Sequence, residues 1–251
     1  MINWILFIEK YKYSLTLIED GKLNEFSKEK SLNMGYLQND DALLTNEGNC
    51  WITSTSNILA YYSRFGGFIN LPRYDSLVMV YPGKDPYFIK KAREEEHYLL
   101  CDSKEIHRIY STVRSNAICY GYVGNGMDDY MTNIAYEKTC DFYNYHGTRS
   151  RIELNHYNII KREINNNHPL QLTTYKDVYY NGHGTMVTGY RKYKAYIPLS
   201  YSSIFQLELC MLSIYDGWTL NERWYDLTEY STVFESSKRA VEQNLYIYSI
   251  A

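Results

Sequence analysis

The sequence lacks several features that would indicate particular classes of protein. Its five cysteines include no Cys-x-x-Cys pair, so neither a zinc ribbon nor a dense disulfide framework is expected, and at least one thiol should be free. The net charge is −3 and no long basic run occurs, which argues against nucleic-acid binding. There is no dinucleotide loop, no P-loop and no metal-ligand cluster at helical spacing. We therefore expect neither a cofactor nor a metal.

Long hydrophobic runs are also missing, so no membrane span is expected. The apolar run at residues 2–8 is short, has no basic segment before it and soon meets charge at Glu9. That composition is typical of neither a signal peptide nor a membrane helix. Localisation and oligomeric state stay open at this point.

What is present is a change of hydrophobic pattern near Pro169. Before it, apolar residues recur at helical spacing and predict helices at residues 50–64, 103–117, 128–143 and 151–165. After it, alternating apolar residues predict strands at residues 170–175, 185–190, 205–215, 223–227 and 245–250. A helical first half followed by an antiparallel sheet predicts an α+β protein. Residues 1–40 form either a pro-segment, or a covering strand and helix.

The first chemistry-bearing segment is Gly48-Asn49-Cys50-Trp51, which opens the predicted 50–64 helix. The positive end of the helix dipole and the unpaired N–H groups there favour a thiolate, and they can also hold an oxyanion. Cys50 is therefore a candidate nucleophile. The alternative is a buried structural cysteine.

A thiol nucleophile needs a base, and His183 is the candidate among six histidines. It lies between two glycines at the start of a predicted strand, where it could project over a cleft. The other histidines lie in turn-like stretches or in polar helical runs that predict surface positions; the latter are His97, His107 and His156.

A third element is Asp216, in the Asp-Gly-Trp segment that follows an apolar strand. Its carboxylate could accept Nδ1–H of His183 and fix the tautomer, with Trp218 shielding the contact from water. The alternative is an ordinary Asp-Gly turn.

Together these segments resemble papain-like (clan CA) cysteine peptidases. The similarity is closest to the bacterial branch that includes staphopains and the peptidases that trim bacteriocin leaders. The separation of 133 positions between Cys50 and His183 lies in the range of papain relatives. The resemblance implies a papain-like domain over residues 41–251, with two lobes meeting near 166–170. It also implies a peptide or protein substrate that is cleaved through a thioester to Cys50.

One position departs from the papain pattern. Papain relatives place an oxyanion-hole glutamine about six residues before the cysteine, and here Leu44 occupies that position. Asn46 is the nearest side-chain amide, so it is the candidate donor, unless the backbone N–H groups act alone.

Two other classes remain as alternatives. A transglutaminase-like acyl transferase also begins a helix with Gly-x-Cys-Trp, and His107, 57 positions after Cys50, would be its histidine. A non-catalytic binding module on the same scaffold would use the 29 tyrosines as a contact surface.

Overall fold

Helices and strands alternate through the part of the chain that the computed structural model describes, namely residues 15–23, 50–68, 70, 104–121, 127–153, 156–177, 181–200, 203–215, 223–227 and 242–251. The helices are α1 (Cys50–Phe65), α2 (Lys104–Cys119), α3 (Asp129–Phe142) and α4 (His156–Asn165). The strands are β1 (Leu15–Lys22), β2 (Gly147–Arg151), β3 (Leu170–Asp177), β4 (Asn181–Ser200), β5 (Ser203–Tyr215), β6 (Arg223–Asp226) and β7 (Glu242–Ile250).

The seven strands form one antiparallel sheet in the order β2-β7-β3-β4-β5-β6, with β1 added to β4. The long strand β4 connects the sheet, because it pairs with β3 near its start, with β1 farther along and with β5 on its other side. The predicted α+β class is confirmed. No helix in the described residues is long and apolar enough to cross a membrane.

Both faces of the sheet are covered at its centre. The consecutive residues Leu170, Gln171 and Leu172 of β3 are all 0% exposed, although neighbouring side chains of a strand point to opposite faces. Gln171 contacts Ser54 of α1, which identifies the face on which that helix packs.

Helix α1 is buried on all sides over residues 51–63, even though its middle carries a run of small polar residues. Such residues can be buried in a helix when their hydroxyls bond to carbonyls of the preceding turn. Ser56 donates to the carbonyl of Ile52 at 2.7 Å, and Ser54 donates to that of Trp51 at 3.1 Å. The polar run therefore forms part of the interior, and Gly66 follows the last helical residue.

Strand β2 lies in the part of the chain where the sequence predicts only helices. Strand β2 escapes the pattern because its inward-facing residues are Gly147 and Arg149, neither of which is apolar. The helix predicted at 151–165 begins only at His156, because residue 151 still belongs to β2. The expectation of a purely helical first half is wrong.

Strand β1 comes from the segment that the sequence leaves open between a pro-segment and a covering strand. It pairs with β4 over Gly189–Ala195, and the Glu19 carboxylate binds the Lys161 ammonium and accepts a 2.9 Å hydrogen bond from Tyr157. Leu23 follows with 0% exposure and donates its amide to the Thr188 carbonyl at 2.9 Å. In this structure residues 15–23 are thus an integral edge of the sheet. The division into two lobes near 166–170 stays a prediction.

Candidate active site

Cys50 is the first residue of α1, as the sequence predicts. It forms no disulfide, and neither do the other three described cysteines, Cys119, Cys140 and Cys210. Cys119 is exposed, whereas Cys140 and Cys210 are buried; Cys50 alone is partly exposed and begins a helix. Cys50 is thus partly exposed as a whole residue, although its sulfur is largely removed from solvent.

Three backbone N–H groups converge on the sulfur of Cys50. Two belong to the start of α1, from Cys50 and Trp51, and the third is donated across the interface by Gly184 of β4. Donors arranged in this way favour negative charge, both on the sulfur and on an oxygen bound next to it.

Burial nevertheless raises the pKa of the Cys50 thiol, and the three N–H groups lower it by less than burial raises it. The N–H groups at the helix start therefore favour the thiolate, but burial opposes them more strongly. Desolvation penalises the charged form of any buried group, and here it outweighs the backbone donors. Ionisation of Cys50 near neutral pH consequently requires a base or a cation beside it.

Strand β4 carries His183 one residue before Gly184, whose amide donates to this sulfur. The backbone of Gly184 lies so close to α1 that a Cβ there would be 3.5 Å from Ser54 Oγ and from the Cα and N atoms of Trp51. His183 is the preceding residue of β4, lies opposite Thr174 of β3 and is 4% exposed. The structure thus places the residue that follows the predicted base against the predicted nucleophile.

Asn46 and Asp216 lie outside the described residues, as does Trp218, so their predicted roles stay predictions. The last residue of β5, Tyr215, pairs with Met186 of β4. The chain therefore enters the Asp216 segment opposite a residue only three positions from His183.

The other histidines fall into separate environments. His107 lies in α2, with its side chain outside the described residues, and His97 is also outside them. The predicted surface position of His156 is wrong: this residue is 7% exposed, and its Nε2 lies 2.8 Å from the Ile152 carbonyl oxygen. A polar residue that starts a helix can turn inward to bond the preceding chain, and the sequence pattern carries no signal for that.

Sequence reasoning missed a buried polar cluster beneath Cys50, consisting of Ser54, Arg149, Gln171 and Tyr248. These residues come from α1, β2, β3 and β7. Gln171 and Ser54, which bond directly, lie 117 positions apart in the chain. A polar residue in a strand ordinarily indicates a solvent-facing position, so nothing local marks them as interior.

Among the described residues, no group of three His, Cys, Asp or Glu side chains could hold a metal ion. The site therefore consists of a helix-start cysteine, a strand histidine and a cluster of backbone donors on an α+β scaffold. No family model, no characterised protein and no solved structure matches this chain significantly.

Proposed function

We propose that the protein is a papain-like cysteine hydrolase that cleaves a peptide or isopeptide bond, with Cys50 as nucleophile and His183 as base. The observation that carries this proposal is the convergence of three N–H groups on Cys50 Sγ, one of them from the residue that follows His183. An enzyme of this class must stabilise negative charge first on sulfur and then on the carbonyl oxygen of the substrate. The sequence resemblance to papain-like peptidases supports the same assignment.

In the proposed reaction, Cys50 Sγ attacks the carbonyl carbon while His183 takes the thiol proton. The tetrahedral intermediate places its oxyanion among the helix-start N–H groups. It then collapses, the carbon–nitrogen bond breaks, and His183 returns the proton to the leaving amine. Water, deprotonated by His183, attacks the thioester and releases the carboxylic acid. The sulfur takes a proton back from His183, which restores the thiol.

Two further residues complete the proposal. Asp216 would accept Nδ1–H of His183 and hold its tautomer. Asn46 would add a side-chain donor to the oxyanion site, in the place where papain relatives use glutamine. The substrate implied by the resemblance is a peptide or protein.

The test is the pH dependence of Cys50 alkylation by iodoacetamide, followed by mass spectrometry of all five cysteines. If His183 activates the thiol, Cys50 reacts selectively and the midpoint of its rate profile lies below about 8.5, the ordinary thiol value. In His183→Ala only burial and the backbone donors remain. Because their balance raises the pKa, the midpoint should then move above that value.

Cys119 is the internal control, because it is exposed and its reactivity should not respond to His183→Ala. Labelling of all five cysteines at equal rates would contradict the proposal. A Cys50 profile that is identical in the wild type and in His183→Ala would contradict it as well.

The alternative is a non-catalytic binding protein on the same scaffold, and the burial that raises the Cys50 pKa favours it. In that case Cys50 is a structural thiol that packs the start of α1 against β4. Its alkylation midpoint would lie above about 8.5 in the wild type already, and Cys50→Ala would affect stability alone.

A further inference from the structure

A chain of buried hydrogen bonds runs beneath the start of α1. We call Arg149, Tyr248, Gln171 and Ser54 the Arg149 chain. Arg149 Nε donates to Tyr248 OH at 3.0 Å, Tyr248 OH donates to Gln171 Oε1 at 2.9 Å, and Gln171 Nε2 donates to Ser54 Oγ at 2.7 Å. Ser54 Oγ then donates to the Trp51 carbonyl at 3.1 Å. The chain therefore ends in the helical turn that contains Cys50.

Arg149 orients the chain from its far end. A guanidinium can only donate, so Tyr248 OH accepts from it and donates to Gln171, while Thr55 Oγ1, 3.1 Å away, can donate to the second lone pair of the same hydroxyl. Arg149 Nη2 donates to the same Gln171 oxygen at 3.3 Å, which fixes that atom as the acceptor end of the amide. The amide nitrogen must then face Ser54, and the Ser54 hydrogen is left for Trp51. This arrangement satisfies all four residues.

The end of the chain lies at the contact between the nucleophile and β4. Ser54 Oγ would be 3.5 Å from a Cβ on Gly184, and the Gly184 amide donates to Cys50 Sγ. A shift of Ser54 therefore moves the first turn of α1 relative to Gly184, and with it the sulfur relative to β4.

Apolar packing would serve stability at this place at least as well as a buried polar chain. Gln171 is 0% exposed, and replacing all partners of such a buried polar group together by apolar residues of similar volume is often neutral or stabilising. What a polar chain adds is a single defined geometry, because each partner accepts one orientation only.

We propose that Gln171 is a positioning residue, which orients the Ser54 hydroxyl and so fixes Cys50 Sγ against the strand that carries His183. The inference rests on the proposed function of Cys50. It assigns to Gln171 an effect on thiol reactivity that exceeds its effect on folding.

The experiment compares Cys50 alkylation by iodoacetamide at pH 7 in Gln171→Met, Ser54→Ala and the double variant. Methionine has a volume similar to glutamine but cannot donate to Ser54. Each single variant should react about tenfold more slowly, because small displacements in an active site cost up to about 100-fold in rate. The double variant should be no slower than either single one, since both remove the same link.

Thr139→Val is the matched control. Thr139 is 0% exposed and donates to the Ala135 carbonyl at 2.7 Å, as Ser54 does to that of Trp51, but it lies in α3. It should lower the melting temperature and leave Cys50 alkylation at the wild-type rate. Equal slowing in Thr139→Val would show a general effect of destabilisation and overturn the inference.

Gln171→Glu provides a second route if Gln171→Met does not fold. A carboxylate still accepts from Arg149 and Tyr248 but draws the Ser54 hydrogen away from Trp51, so folding should persist while alkylation slows. Combining it with Ser54→Ala separates positioning from charge, because only positioning requires Ser54. A wild-type rate in the Gln171 variants, with His183→Ala slowed, refutes this inference and leaves the proposed function intact. A wild-type rate in His183→Ala refutes the proposed function itself.

Discussion

At the residue scale, the chemistry of Cys50 depends on two opposing effects on one sulfur atom. Burial raises the thiol pKa, and N–H groups from α1 and from Gly184 lower it. The balance favours the neutral thiol, so a helix start does not by itself activate a cysteine whose sulfur is buried. Activation in the proposed enzyme comes from His183, which explains why the histidine variant is the informative one.

Asp216 gives the second prediction at this scale. Asp216→Ala should slow Cys50 alkylation at neutral pH less than His183→Ala does, and should reduce hydrolysis of a peptide substrate less than Cys50→Ala does. An orienting carboxylate is less essential than the groups that react. The measurement is the rate at pH 7 in variants whose circular dichroism matches the wild type. A folded Asp216→Ala protein with no loss, or with a loss equal to that of Cys50→Ala, would contradict the assignment.

At the element scale, α3 packs closely on the sheet edge where it meets β2. Arg149 of β2 donates to Thr132 Oγ1 and to Asn133 Oδ1 of α3, each at 2.9 Å. Two residues earlier, Gly147 lies against Cys140 of the same helix. The spacing between β2 and α3 therefore affects Arg149, and through it the chain that leads to Cys50.

Gly147→Ala tests this spacing. The added Cβ would lie 2.7 Å from Cys140 Cβ and 3.0 Å from Tyr136 Cε1, so α3 or β2 must move. We expect a loss of about 1–3 kcal/mol in the free energy of unfolding, measured by urea denaturation. Gly182→Ala is the control, because its Cβ would meet nothing within 4 Å. Equal stability of the two variants would show that β2 and α3 are less tightly packed.

At the scale of the whole molecule, tyrosines form a large part of the core. Tyr248 is 1% exposed and its ring packs edge-on against that of Tyr136 at 4.7 Å between centroids. The hydroxyls of Tyr62 and Tyr136 reach carbonyls of β7, at Tyr248 and Ser249, over 2.7 and 3.1 Å. These two hydroxyls have defined partners, so both rings fill the interior with their polar atoms paired. Burial raises the pKa of Tyr136 and of Tyr248.

This core predicts a loss of stability in alkaline solution. Burial raises the pKa of Cys140 to about 12, whereas the unfolded thiol ionises near 8.5. Between these values the folded state holds a proton that the unfolded state has released, so the free energy of unfolding falls as pH rises. Cys140 contributes a slope of about −1.4 kcal/mol per pH unit. Thermal melts from pH 8 to 11 should show this decline, and Cys140→Ala should show a shallower one. Parallel curves would contradict the assignment.

Local periodicity was enough to predict most of the framework. Cys50 starts a helix as predicted and Gly66 follows the end of that helix. Every strand predicted after Pro169 is present, but β4 extends to Ser200, ten residues beyond its predicted end. These features depend on residues a few positions apart, whose spacing along the chain is visible in the sequence.

The features that only the tertiary structure decided depend on groups that are far apart in the chain. Only folding brings the Gly184 amide to Cys50, and only folding buries that sulfur enough to raise its pKa. The alternating pattern of β3 predicts a solvent-facing position for Gln171. In the folded protein it is bonded to Ser54 and Arg149 instead. Burial and long-range hydrogen bonding are properties of the packed molecule, so a pattern of neighbouring residues carries no record of them.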